Sequence, residues 1–130
     1  MKLYSLETKQ NFPISPQVAW DFLSDPNNLK EITPAYMGFN IISNCENEMY
    51  AGQIIEYIVK PLFGIPFKWV TEITHVNNKM FFVDEQRFGP YKMWHHEHLF
   101  IKKGNKTEVT DKVSFKAPFG IIGRLMTPVF

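Results

Sequence analysis

From residue 38 to residue 116 the chain alternates apolar and polar side chains with a period of two, interrupted by short clusters of Gly, Asn and Pro. That period belongs to strands with one covered face, and it predicts six of them, at 38–43, 52–60, 66–76, 79–87, 91–103 and 106–116. Turns this short join antiparallel neighbours, so the six form a meander. Residues 2–12 alternate more loosely ahead of Pro13 and predict a first strand added at an edge. Between them the period lengthens. Ser15-Pro16 is a helix start, an N-cap hydroxyl followed by proline at the first helical position, and Val18, Ala19, Phe22 and Leu23 give an apolar face. Asp25-Pro26 repeats the signal and opens a second short helix carrying Leu29 and Ile32, stopped at Thr33-Pro34. After Ala117-Pro118, residues Ile121, Ile122, Leu125, Met126 and Val129 recur at helical spacing. This terminal helix runs into Pro128-Val129-Phe130 as though cut short.

Three turns predict a register. Gly104-Asn105 is a two-residue hairpin loop that sets Phe100 opposite Val109, His98 opposite Asp111 and His96 opposite Val113. Asn77-Asn78, treated the same way, sets Ile73 opposite Phe82, Thr71 opposite Asp84 and Trp69 opposite Gln86. A turn symmetric about Gly89 places Asp84 opposite Trp94 and Phe82 opposite His96. All three agree on one face: Trp69, Thr71, Ile73, Phe82, Asp84, Gln86, Trp94, His96, His98, Phe100, Val109, Asp111, Val113 and Phe115. The opposite face carries Lys68, Glu72, Thr74, Glu85, Arg87, Glu97, Thr110 and Lys112 and reads as solvated. It also carries Phe81, Val83, Met93, Leu99 and Ile101, an apolar strip that raises the possibility of a homodimer contact.

At 130 residues the chain makes one domain, residues 1–130, large enough for a real core. Lys plus Arg number 14 against 13 for Asp plus Glu, which leaves no field for a polyanion and argues against a nucleic-acid partner. The 12 Phe, 5 Tyr and 3 Trp supply rigid apolar surface of the kind that lines pockets as well as cores. Cys45 stands alone, so no intrachain disulfide forms and a reducing compartment fits. Neither a secretory leader nor a membrane-length apolar span is expected, and the cytoplasm is the expected location.

The order strand, two short helices, six-stranded meander and terminal helix resembles the α+β helix-grip fold of the START-like superfamily, also called SRPBCC, to which the Bet v 1-like proteins belong. Asp84-Glu85-Gln86-Arg87-Phe88-Gly89-Pro90-Tyr91, followed by Trp94-His95-His96-Glu97-His98-Leu99-Phe100, resembles segments of small bacterial ligand-binding SRPBCC proteins. Similar segments occur in the domain attached to some epimerase-like proteins labelled cell-division inhibitors. The resemblance implies a curved sheet of about seven strands gripping a C-terminal helix. It also implies a cavity between them for a lipid, polyketide or other apolar molecule, with no cofactor. The terminal helix here is shorter than the resemblance leads one to expect.

Rings and titratable groups share the face that would line such a cavity. Tyr57, Trp69, Phe82, Asp84, Trp94, His96, His98, Phe100, Asp111, Val113 and Phe115 are the candidate ligand-binding residues. The plainer reading of the aromatics is core. His98 opposite Asp111 is a candidate acid/base pair in the manner of a polyketide cyclase or dehydratase, or a structural pair satisfying two buried polar groups. His96 and His98 at i and i+2 are a weak metal signal, with Asp84 or Asp111 to complete the set. Strand parity turns His95 outward and gives His75 the parity of the ring face. No nucleophile motif, phosphate loop or dinucleotide fingerprint is present.

Overall fold

The computed structural model describes residues 3–28, 40–43, 48–60 and 65–116. Seven strands form one antiparallel sheet: β1 (Leu3–Phe12), β2 (Asn40–Ile41), β3 (Ile54–Val59), β4 (Phe67–Asn77), β5 (Phe81–Phe88), β6 (Met93–Lys103) and β7 (Lys106–Lys116). Their spatial order is β1-β7-β6-β5-β4-β3-β2. The meander therefore runs unbroken from β2 to β7, and β1 closes the far edge on β7 with Tyr4 stacked on Phe115, ring centroids 5.5 Å apart. The helical residues expected in the terminal segment lie outside the described residues.

Helix α1 (Pro16–Leu23) starts where expected, with Ser15 as its N-cap accepting from the Val18 amide and proline in the first turn. Its buried face differs from the expected one. Ala19 and Trp20 are buried, whereas Val18 and Phe22 are 52% and 42% exposed. Trp20 decides the orientation, because its ring meets Phe82 and Phe100 edge-on at 5.9 and 5.1 Å. After it comes a turn of 3-10 helix, Pro26–Asn28. The continuation expected through Leu29 and Ile32 lies outside the described residues.

The β6–β7 register is as predicted, with Phe100 paired to Val109, His98 to Asp111 and His96 to Val113. Two other registers need correction. At the β4–β5 turn the chain spends three residues, Asn78-Lys79-Met80, with Lys79 at φ 66°, and a bulge follows between Ile73 and His75. Ile73 consequently pairs with Asp84 and Thr71 with Gln86, two residues away from the predicted partners. At the β5–β6 turn Gln86 sets the length: its side chain donates to the Tyr91 carbonyl at 2.5 Å and accepts from the Tyr91 amide at 3.0 Å. That pair of bonds replaces a rung of the ladder and moves the centre of the turn one residue on, so Phe82 pairs with His98 and Asp84 with His96.

Both errors are slips of two residues, and a strand keeps its faces under an even slip. Every side chain assigned to the ring face is accordingly buried or half-buried. The β4 bulge changes one assignment: it reverses parity beyond Thr74, so His75 is exposed and Val76 turns inward against the core. On the other face Thr110 is buried rather than solvated, and of the apolar strip Val83 is buried and only Ile101 is exposed.

Two apolar clusters hold the concave side. One gathers Tyr57, Trp69, Tyr91, Trp94, Val113 and Phe115, with Trp69 stacked on Tyr57 at 6.0 Å and edge-on to Trp94 at 5.4 Å. The other joins α1 to the sheet through Ala19, Trp20, Phe82, Phe100 and Val109. The histidines lie between them.

Candidate functional site

Because β5, β6 and β7 are adjacent, their inward positions place Asp84, His96, His98 and Asp111 side by side. The two imidazoles stack, centroids 3.7 Å apart and planes 24° apart, and Phe82 stacks on the far side of His98 at 4.0 Å. Each carboxylate faces both rings. Asp84 Oδ2 is 2.6 Å from His98 Nε2 and 3.9 Å from His96 Nδ1. Asp111 Oδ1 is 3.0 Å from His96 Nε2 and 3.2 Å from His98 Nδ1. The sequence put all four on one polar stripe and singled out His98 with Asp111 as its pair; the structure joins them in a quartet in which the shortest contact is His98 to Asp84.

Packing makes the two rings electrically unlike. For His96, burial of a side chain only 2% exposed opposes charging, and the neighbouring His98 adds repulsion, so its pKa falls despite the carboxylates. For His98, burial also opposes charging, but hydrogen bonds to Asp111 and Asp84 and their negative charges outweigh it and lift the pKa to about 9. Asp111 feels desolvation upward, and the hydrogen bonds from His96 and His98 overcome it, holding this carboxyl well below the usual range. At neutral pH one ring is charged and the other is not.

Beside the quartet lies a cavity of about 40 Å³, lined by Asp84, His96 and His98 together with Tyr57, Thr71, Phe82, Trp94, Ile55, Ile73, Leu23, Pro26 and Met49. Its second polar element is the Tyr57 hydroxyl, 3.1 Å from Thr71 Oγ1. Burial pushes the Tyr57 pKa far up and nearby Asp84 adds to it, so this phenol stays neutral.

The quartet was also a metal candidate. Ligand atoms of Asp84, His96 and His98 all lie within 4.8 Å of one another. The stacking works against convergence, however. Imidazole lone pairs lie in the ring plane, so a metal on the axis of one ring at about 2.0–2.1 Å sits off the plane of a ring stacked beside it. The arrangement favours hydrogen bonding within the quartet over a shared ion.

Residues 12–130 match the family model described as polyketide cyclase / dehydrase and lipid transport. The chain belongs to this family. Within this SRPBCC-type family the chain has the helix-grip sheet of its structural neighbours. The crystal structure of TTHA0849 from Thermus thermophilus superposes with a TM-score of 0.73 at 13% identity, over 95% of this chain and 86% of that one. Ginseng major latex-like protein 151 from Panax ginseng gives 0.68 at 14% identity, over 92% and 83%. A nucleoside-diphosphate sugar epimerase from Corynebacterium glutamicum gives 0.62 at 22% identity, over 83% of this chain and 24% of that one. These likenesses are of fold. No curated protein matches the chain.

In this SRPBCC domain the candidate residues divide in two. Tyr57, Phe82, Asp84, Trp94, His96 and His98 line the cavity. Trp69, Val113 and Phe115 pack behind it in the aromatic cluster, Phe100 packs under Trp20, and Asp111 holds the histidines from the side away from the void. The sequence reading missed Leu23, Pro26, Met49, Ile55, Thr71 and Ile73 as lining residues. Thr71 and Ile73 carried the signal of the right strand parity, whereas Pro26 and Met49 come from non-strand segments whose approach no periodicity encodes.

Proposed function

We propose that this domain binds a mostly apolar small molecule, whose inner end is oriented by the polar quartet at the floor of the cavity. The observation that carries the reading is a pair of buried imidazoles, clamped by two carboxylates, set into a wall that is mostly aromatic and aliphatic. A core built only for stability has little use for such a quartet, since apolar residues of similar volume do as well or better. A void of about 40 Å³ admits the end of a ligand rather than a whole one, because sites for drug-sized molecules run to roughly 300–1,000 Å³. Leu23 and Met49, both half-buried, are the lining side chains free to give way.

A catalytic reading of the cyclase or dehydratase kind has one specific feature in its favour. The neutral His96 ring keeps Nδ1, 3.9 Å from Asp84, as a base beside the cavity, whereas both nitrogens of His98 lie within hydrogen-bonding distance of carboxylates, at 2.6 and 3.2 Å. The His98/Asp111 pair suggested by the sequence thereby becomes a support for His96. Mass spectrometry of small molecules copurifying with the protein, wild type against His96→Ala, tests both. A binder yields a molecule that the variant retains poorly. Turnover of a supplied substrate that disappears in the variant while binding persists favours the enzyme, and recovery of no small molecule by either route counts against both.

A further inference from the structure

The quartet restricts the chemistry of the ligand's buried end, an inference that rests on the binding reading above. A carboxylate accepts but does not donate, so the 3.0 Å contact between His96 Nε2 and Asp111 Oδ1 fixes the proton on Nε2. In the neutral ring Nδ1 is then a bare acceptor. It lies 3.9 Å from Asp84 Oδ2, another acceptor, too far for a bond and of the wrong kind to make one. A single donor atom at about 2.8 Å from both subtends an angle of roughly 90° between them. Such an angle suits an amine, which carries two or three hydrogens, better than an alcohol with one. The charge points the same way, since Asp84 and Asp111 oppose the single imidazolium of His98. Around this acceptor pair the lining is apolar and aromatic, with Phe82 and Trp94 at hand.

The geometry points to an apolar amine as the ligand class, its nitrogen donating to His96 Nδ1 and Asp84 Oδ2, and to exclusion of molecules that end in a carboxylate. A carboxylate placed between them would meet two acceptors, one of them the Asp84 carboxylate, and would bury like charges together.

The test uses three probes with one tail, octylamine, 1-octanol and octanoate, titrated into the whole chain at neutral pH. Affinities come from calorimetry, and the ¹⁵N resonance of His96 Nδ1 is followed in the same samples. The expected order is amine, then alcohol, then carboxylate, with about tenfold or more between the first and last and with a shift of the Nδ1 resonance on adding octylamine. Asp84→Asn, checked for folding by its melting transition, is expected to lose about tenfold for octylamine and little for 1-octanol. Equal affinities, or octanoate binding as well as octylamine, would overturn the amine assignment and leave the cavity a receptor for tails. Binding of none of the three would overturn the receptor reading itself. Octylamine binding with the Nδ1 resonance unmoved would place the amine elsewhere and overturn the inference even if Asp84→Asn fails to fold.

Discussion

His96 and His98 stack at 3.7 Å with their pKa values displaced in opposite directions. Burial opposes charging in both rings, and contact lengths decide which of them overcomes it. Asp84 is 2.6 Å from His98 and 3.9 Å from His96, so His98 is charged between two close carboxylates. A second positive charge beside it would be desolvated and repelled. The stack therefore carries one positive charge between the lowered pKa of His96 and the raised pKa of His98.

This asymmetry predicts how stability varies with pH. His98 has its folded pKa raised from 6.5 to about 9, so its contribution is complete below 6.5 and is lost as pH rises through 9. His96 and Asp111 have lowered folded pKa values, so their contributions are present above the ordinary values of 6.5 and 3.8 and are lost as pH falls. Stability should peak near neutrality and fall on the alkaline side by a few kcal/mol, on the order of 3 if the His98 shift is expressed in full. Urea unfolding across this range checks it, with His98→Gln expected to flatten the alkaline limb.

Asp111 is within hydrogen-bonding distance of both rings, at 3.0 and 3.2 Å, whereas Asp84 reaches only His98 that closely, which makes Asp111 the more costly of the two carboxylates to neutralise. Asp111→Asn is expected to destabilise the fold by about 2–4 kcal/mol. It should also bring the His98 titration down from about 9 toward its ordinary value of 6.5. Side-chain ¹⁵N NMR titration reads the second effect independently of the first, and an unmoved His98 midpoint would mean that Asp84 alone sets it.

How far the sequence disclosed this site depends on what each signal encodes. Alternation fixes faces, so the parity of Asp84, His96, His98 and Asp111 was legible and survived two wrong registers. Register itself depends on turn length, and the β4–β5 and β5–β6 turns are set by features alternation does not carry: the left-handed Lys79 and the side chain of Gln86 standing in for backbone. Only Gly104-Asn105, whose residues suit a two-residue turn directly, gave a correct register. The same limit hid how the four residues pair, because a two-residue slip leaves Asp84 inward but puts it opposite Trp94 instead of His96. Helical spacing likewise located α1 but chose Val18 and Phe22 over Trp20 for burial, since it does not say which sector meets a partner.

The Gln86 device gives a prediction of its own. A Cβ at Gly89 would collide with Gln86 Oε1, so Gly89→Ala must displace the side chain that pins both backbone groups of Tyr91. The expected cost is about 1–3 kcal/mol, with faster amide hydrogen exchange at Tyr91 and a disturbed Trp69–Tyr91 contact visible in near-ultraviolet circular dichroism. Gln86→Ala should reproduce both effects if the bonds, rather than the glycine, carry the turn.

Trp20 is the residue that seats α1 on the sheet, edge-on to Phe82 and Phe100. Trp20→Ala is expected to cost about 3–5 kcal/mol. Because Phe82 stacks directly on His98, the variant should also shift the His98 side-chain resonances through Phe82. Trp20→Phe should recover most of the stability.

The most direct measurement is a crystal structure of the protein with whatever small molecule copurifies, or with octylamine soaked in. The account predicts density in the cavity with a polar atom within about 3 Å of His96 Nδ1 and Asp84, and Leu23 or Met49 displaced to make room. Side chains of Leu23, Met49, Phe82 and Trp94 closed over the quartet, with the small molecule bound elsewhere, would contradict it.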